Sequence, residues 1–324
     1  MSAYKDLTAK EAAERLLTID RPVILIHVNP DADTVGSAAA LARVFSALGK
    51  RAEFVCDDEI PSRLEFLTGG LTRAESTDGA EIVSIDVAAP KQGGKTLEAL
   101  PSVALMIDHH EFGEKFADSY TVAGASSAAE VLLDIIDVLA DMGKLTLTKE
   151  IAEPLYAAIS SDTGGFRFSN ATAKTFRLAA RLIETGIDHA DISHKLFFSK
   201  SKEQVKAESF IGERTELFAD GRIAVSLHTA KDRESLGLSE GHFDCAIDVP
   251  RSIAGVEIAA VIRETGSGAF KASIRSTGPN VAEVAKKFGG GGHVRAAGCS
   301  PEGKDINEAK EKLVKELEKL IEAK

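Results

Sequence analysis

The sequence predicts an α/β protein with two lobes, a parallel-sheet N-terminal domain followed by a smaller α/β C-terminal domain. Three observations carry that expectation. The first part of the chain alternates short apolar, β-branched runs with helix-period segments, the pattern of a parallel sheet covered by helices. After Gly186 the pattern gives way to a polar, helix-like stretch. A second, shorter set of strand-like and helix-like segments then closes the chain. The expected boundaries are residues 1–190 for the first domain, 191–215 for a helical linker and 216–324 for the second domain.

Taken in order, the opening MSAYKDLTAKEAAERL reads as an amphipathic helix rather than a signal peptide. VILIHV (23–28) is a buried-strand run, followed by a turn and the helix-like GSAAALARVFSALG. AEFVC (52–56), EIVSIDV (81–87) and VALMID (103–108) are further strands, the last running directly into His109 and His110. SAAEVLLDIIDVLADMG, KEIAEPLYAAISSD and AKTFRLAARLIETG follow as helices, with Gly143 and Gly186 where C-terminal glycines belong. Residues 188–216 form a polar connector. RIAVSLHT, VEIAAVIRET and AFKASIRS are the strands of the second unit. NVAEVAKKFG is a helix, GGGGH a glycine-rich turn, AAGCS strand-like, and NEAKEKLVKELEKLIEAK a charged closing helix.

Composition narrows the function classes. The formal charge is −11 and there is no long Lys/Arg run, which disfavours a processive nuclease gripping a long strand. Cys56, Cys245 and Cys299 are far apart and odd in number, so neither a disulfide framework nor a zinc ribbon is expected. The longest apolar runs, such as residues 22–26, are far too short to span a bilayer. A cytoplasmic protein without a membrane partner is the default expectation.

The chemistry-bearing residues sit where strands end. HVNPDADTVGS places His27, Asp31 and Asp33 between a buried strand and a helix, and ligands of open α/β sheets bind outside the carboxyl ends of strands. If the chain there stays extended, these three share one side by alternation. Imidazole with two carboxylates suits Mn²⁺. Gly36 and Ser37 would open the next helix, whose amides favour anions. The alternative is an Asx-rich turn in which Asp33 caps a helix. Asp86 ends EIVSIDV, and Asp108-His109-His110 follows another buried strand. Adjacent histidines in a strand point to opposite faces, so one can bind a metal and the other meet substrate if the loop bends. Asp162-Thr163-Gly164 ends a helix and reads equally well as a helix stop. The set outweighs its members, because a parallel sheet gathers strand ends into one crevice, and two nearby divalent ions need about this many ligands. Downstream, FGGGGH followed by AAG can present backbone amides to an anion, or act as a hinge. Arg275-Ser276 can add a guanidinium fork for phosphate, with an ordinary surface arginine as competitor.

The ordered set HVNPDADTVGS, SIDV, IDHH, SDTGGF and IRSTG…FGGGGHVRAAG resembles the DHH phosphoesterase family, in the branch with the DHH-associated C-terminal domain. One departure is the alanine of Asp-Ala-Asp, where glycine is common. The resemblance implies a bilobal fold with the active site in the cleft between the lobes and a centre of two Mn²⁺, with Mg²⁺ or Co²⁺ as substitutes. It implies that His27, Asp31 and Asp86 hold one ion, and that Asp33, Asp86, His109 and Asp162 hold the other, Asp86 bridging. His110 would contact the scissile phosphate and Asp108 would support the histidines, so His110, Asp108 and Asp86 are the expected catalytic set. Arg275, Ser276, Gly291, Gly292 and His293 would grip the substrate's terminal phosphate and sugar. The short two-domain form is similar to the nano-RNase and 3′-phosphoadenosine 5′-phosphate phosphatase group, so short oligonucleotides or small nucleotides are the expected substrates. The alternative is a phosphodiesterase for cyclic dinucleotides or their linear products. A catalytically silent nucleotide-binding protein is the third reading, opposed by the intact ligand set. A homodimer is expected from the likeness alone.

Overall fold

A computed structural model describes residues 4–111, 113–244 and 246–322, so Cys245 and the extreme ends of the first and last predicted helices lie outside the described residues. The chain divides into two compact units, Met1–Ser199 and Lys200–Lys324.

The first unit runs α1 (Ala9–Thr18), β1 (Pro22–Leu25), α2 (Ala32–Ala47), β2 (Glu53–Val55), β3 (Glu81–Ile85), α3 (Gly94–Ala99), β4 (Leu105–Asp108) and β5 (Ser119–Thr121). It ends with α4 (Ala128–Asp141), α5 (Lys149–Asp162), α6 (Ala173–Glu184) and α7 (His189–Phe197). Five parallel strands pair in the order β2-β1-β3-β4-β5. The chain leaves β1 for β2 on one side and returns to β3 on the other, so the β1/β3 crevice is the point where the strand order reverses. Both sheet faces are covered. Ile24, Val83, Ile85, Leu105 and Ile107 join one core and Val23, Leu25 and Ile82 another, which is why these strands read as unbroken apolar runs. β5 was not predicted, because Ser-Tyr-Thr carries no apolar run.

Helix α1 is fixed by a capping box between Thr8 and Glu11. Helix α2 begins earlier than the sequence suggested. Asp31 is its N-cap, itself extended and accepting from the Asp33 and Thr34 amides, while Ala32 and Asp33 are already helical, so the alternation argument fails for Asp33. Gly36 therefore lies inside α2 and opens no anion site. A Cβ there would come within 2.6 Å of the Pro154 carbonyl oxygen, so glycine lets α2 and α5 pack closely.

The second unit contains α8 (Lys202–Glu213), β6 (Glu216–Phe218), β7 (Ile223–His228), α9 (Ala230–Leu236), α10 (Asp248–Arg251), β8 (Ile258–Glu264) and β9 (Phe270–Ser276). Then come α11 (Val281–Lys287), β10 (Gly291–His293), β11 (Ala296–Cys299) and α12 (Ile306–Glu322). Its six-stranded sheet has the order β10-β11-β9-β8-β7-β6, with β7 and β8 parallel and the other pairs antiparallel. Ile223, Val225, Ile258, Ala260, Ile262 and Ile274 pack on one face with Val284, Leu313 and Leu317 of α11 and α12. Ala224, Ala259 and Val261 pack on the other with Ala207, Ile211 and Ile247. The expected glycine-rich turn is partly a strand, since Gly291 and Gly292 pair with Gly298 and Ala297. Gly292 has φ +135° and a Cβ on it would lie 2.5 Å from the Ala296 carbonyl oxygen, so only glycine fits this hairpin. Among the described residues no helix is long and apolar enough to cross a membrane.

Candidate metal centre

The residues after β1, β3 and β4, those at the start of α2 and that at the end of α5 converge on one cluster, buried at Asp33 and Asp86 and open to solvent at Asp31. His27 follows β1. Its Nδ1 lies 2.8 Å from the Val28 carbonyl oxygen, and because a carbonyl only accepts, Nδ1 is the protonated nitrogen. Nε2 is thereby turned toward Asp31 Oδ1 at 3.7 Å and Asp86 Oδ2 at 3.5 Å. His109, after β4, repeats the arrangement. Its Nδ1 donates to the Ala125 carbonyl at 3.1 Å. Its Nε2 faces Asp86 Oδ1 at 3.5 Å, Asp162 Oδ2 at 3.7 Å and Asp33 Oδ2 at 3.9 Å. These separations are too long for good hydrogen bonds. They are the spacing of donor atoms arranged around a common ion whose ligands each stand about 2.1 Å from it.

Asp86 stands between the two histidines. Its backbone is left-handed, φ +59°, although aspartate carries a Cβ. The residue still donates its amide to Ile107 O at 3.0 Å while turning out of the strand, and its side chain is buried. Among the described residues, buried Asp86 Oδ1 has no hydrogen-bond partner, nor has Asp108 Oδ2. A buried carboxylate oxygen without a donor is costly unless a cation meets it.

Asp33, in the first turn of α2, does cap a helix, but a distant one. Its Oδ2 accepts from the Ala128 amide at 2.7 Å, and its Oδ1 from Ala129 at 3.3 Å and from Ser37 Oγ at 3.0 Å. Asp162 ends α5 and is followed by left-handed Gly164, Gly165 and Phe166, as a helix stop would be, and its carboxylate also faces His109. His109 and His110 do not point to opposite faces. Strand β4 stops at Asp108, the chain bends, and the two rings lie 4.5 Å apart. His110 Nδ1 donates to Asp108 Oδ1 at 2.7 Å, which leaves Nε2 as its outward nitrogen.

Three groups of side chains have donor atoms within 4.8 Å of one another: His27, Asp31 and Asp86; Asp33, His109 and Asp162; and Asp86, His109 and His110. The site's electrostatics follow from four carboxylates crowded around two imidazoles. Burial opposes the charge on His27, yet Asp31 and Asp86 push it up to about 11. His109 is likewise raised to about 11, burial being outweighed by Asp86, Asp33 and Asp162. Burial and the Asp86 charge lift Asp33 to about 7, and burial with the Asp33 charge lifts Asp162. Burial acts against ionised Asp86, but the flanking histidines hold its carboxyl well below the usual range.

In the second unit, Arg275, Ser276, Gly291, Gly292 and His293 occupy β9 and β10. Arg275 pairs with Ala296, and Ala296 with His293, so strand alternation sets Arg275 and His293 on one face. Gly291 shares that face, opposite Gly298 and Ser273. Ser276 and Gly292 fall on the other; Ser276 is buried and its hydroxyl donates to the Pro279 carbonyl. Arg275 is half-buried, its Nη1 donates to Ile274 O at 3.0 Å, and burial presses its guanidinium below the ordinary value. The sequence carries no signal for the Ala125 carbonyl that orients His109, since any residue can supply it, and Ser37, expected only to open a helix, instead donates its hydroxyl to Asp33.

Residues 21–159 match the model of the DHH family N-terminal domain, and residues 221–323 match that of the DHHA1 domain. The chain is 33% identical to the bifunctional oligoribonuclease and PAP phosphatase NrnA of Thermus thermophilus, over 93% of this chain and 91% of the relative. It is 28% identical to the Bacillus subtilis protein of the same description, over 87% of this chain and 89% of that one. A cyclic-di-AMP phosphodiesterase, PdeA, of Listeria monocytogenes is 24% identical over 95% of this chain but only 49% of its own length. Among solved structures, an exopolyphosphatase-related protein from Bacteroides fragilis superposes with TM-score 0.84 at 24% identity, over 97% of this chain and 95% of that one, a likeness of fold.

Proposed function

We propose, from the premise that this chain belongs to the DHH family and is a hydrolase of phosphoester bonds, that it cleaves very short oligoribonucleotides and 3′-phosphoadenosine 5′-phosphate with the help of two Mn²⁺ ions. The observation that carries the reading is the division of the cluster. His27, Asp31 and Asp86 form one donor group, Asp33, His109 and Asp162 form a second with no member in common, and Asp86 with His109 and His110 links them. Four ionised carboxylates are balanced by two divalent cations, and oxygen with imidazole donors suits Mn²⁺. The orphaned, buried Asp86 Oδ1 fits a bridging role. Two relatives that match most of this chain are described as acting on oligoribonucleotides and PAP, which supports the substrate class.

Bound there, two divalent ions would neutralise the phosphoryl oxygens and supply a nucleophile from water at neutral pH. The chain's own residues do the rest. The Val28 and Ala125 carbonyls hold the Nδ1 protons of His27 and His109, keeping both Nε2 lone pairs on the ligand side. Asp108 holds the Nδ1 proton of His110, so His110 Nε2 is the nitrogen that would meet the scissile phosphate. Arg275, Gly291 and His293, with Ser276 and Gly292, are assigned to the far phosphate and sugar, where guanidinium and backbone amides suit an anion.

The test is hydrolysis of 5′-labelled RNA of two to about twenty-four nucleotides with Mn²⁺, alongside the bisphosphate and cyclic di-AMP, with an Asp86→Ala/His109→Ala protein as blank. Cleavage confined to the shortest RNAs and the bisphosphate, absent from the blank, is the expected outcome. Faster consumption of cyclic di-AMP moves the substrate to second-messenger dinucleotides, and no cleavage by the wild type removes the reading.

A further inference from the structure

The second donor group owes its arrangement to one short backbone segment. The Ala125 carbonyl accepts from His109 Nδ1, and the Ala128 and Ala129 amides donate to Asp33. Between them, the Ser126 carbonyl accepts from Asn170 Nδ2 at 3.0 Å, and the same nitrogen donates at 3.1 Å to the carbonyl of Asp162. Residues 125–129 therefore reach all three members of the group: His109 and Asp33 directly, and Asp162 through Asn170. Two carbonyls accept only, so the amide nitrogen of Asn170 must face them. Its Oδ1 is buried and has no partner among the described residues. The segment is itself held. Buried Glu130 accepts from Ser126 Oγ at 2.6 Å, from the Ser126 amide at 3.3 Å and from Thr175 Oγ1 at 3.1 Å.

We propose that Asn170 is a positioning residue for the ion held by Asp33, His109 and Asp162, acting by tying the Asp162 backbone to the segment that orients His109 and Asp33. The His27–Asp31–Asp86 group is oriented mainly by the Val28 carbonyl and the α2 N-terminus, and no bond of Asn170 reaches it among the described residues, so the clamp acts chiefly on the other ion. The inference rests on the two-ion reading of the cluster. It goes beyond that reading by giving the two ions separate supports. Partners that orient metal ligands typically contribute 10- to 100-fold in affinity, and the loss of Asn170 should be of that order.

The experiment is Mn²⁺ titration of the full chain, followed by calorimetry and by the EPR signal of free Mn²⁺, with no substrate present. Asn170→Asp keeps the shape but sets a carboxylate against two carbonyls. Asn170→Ser keeps one small donor, for the case that the aspartate variant does not fold. The wild type should bind two ions. The variants should bind one with unchanged affinity and the other at least about 10-fold more weakly, with far-UV dichroism preserved. The proposal is overturned if a folded variant binds both ions as the wild type does, if both are weakened equally, or if the wild type binds fewer than two. A wild type that binds two ions yet cleaves no phosphoester removes the functional reading and leaves the clamp standing. Cleaving variants with unaltered titrations do the reverse.

Discussion

The cluster beyond β1, β3 and β4 and the sheet of the second unit shift their histidines in opposite directions. In the first, aspartates and histidines are buried so closely that His27 and His109 are pushed up to about 11 and Asp33 to about 7. In the second unit, a buried histidine has arginine neighbours instead. His228, buried on the same sheet and stacked on Phe243 with centroids 4.1 Å apart, is lowered to about 4 by burial and by the charges of Arg233 and Arg263. The two regions surround their imidazoles with charge of opposite sign, aspartates in the first and arginines in the second.

The largest effect should come from the carboxylate between the two histidines. Asp86→Asn is expected to lower kcat by about 10³-fold or more, as for the loss of a principal electrostatic stabiliser, with little change in KM. Steady-state kinetics on a dinucleotide measures it, and turnover within a few-fold of wild type would break the comparison on the acidic side. Arg275→Ala should act differently, raising KM by about 10- to 100-fold, the equivalent of one charged hydrogen bond, while kcat holds. Arg275→Lys should recover part of that loss, because the charge survives but the planar fork does not. Equal losses in kcat for both residues would merge the two regions into one role.

The smallest effect separates the histidines by pH. His228 has a folded value near 4, below its ordinary 6.5. Its contribution to stability is thus present above about 6.5 and is lost as pH falls toward 4, where the unfolded chain binds more protons. Denaturation should show the second unit losing on the order of 2 kcal/mol over that window, and His228→Gln should flatten the slope. In the metal-free protein His27 and His109 behave oppositely. Their raised values give stability that is complete below about 6.5 and lost as pH climbs toward 11. The same pH slope in both units would remove the electrostatic contrast.

Much of this was legible in the chain. Unbroken apolar runs such as VILIHV and VALMID report strands buried on both faces, and Asp or His directly after each marks the sheet's carboxyl edge. Where local periodicity was extended beyond an element's end it misled. Asp31 and Asp33 were read as alternating along an extended chain, but Asp31 caps α2 and Asp33 lies in its first turn. Gly36 was read as a helix start and serves helix packing instead. His109 and His110 were expected on opposite faces, and the bend after Asp108 turns both to the same cluster. β5 and β10 lack any apolar run, since their pairing depends on neighbours.

The sequence by itself determined the class of each element and the types of donor at its end, because burial and hydrogen-bond capacity are properties of single residues and their near neighbours. Only the tertiary structure decided which donors meet. The order β2-β1-β3-β4 brings Asp86 between His27 and His109, and a left-handed backbone turns its carboxylate into the crevice. Asp33 caps a helix 95 residues away, and Asn170 reaches a carbonyl 44 residues distant. Contacts of that separation exist only once non-local strand pairing and helix packing are complete, so no local pattern in the chain records them.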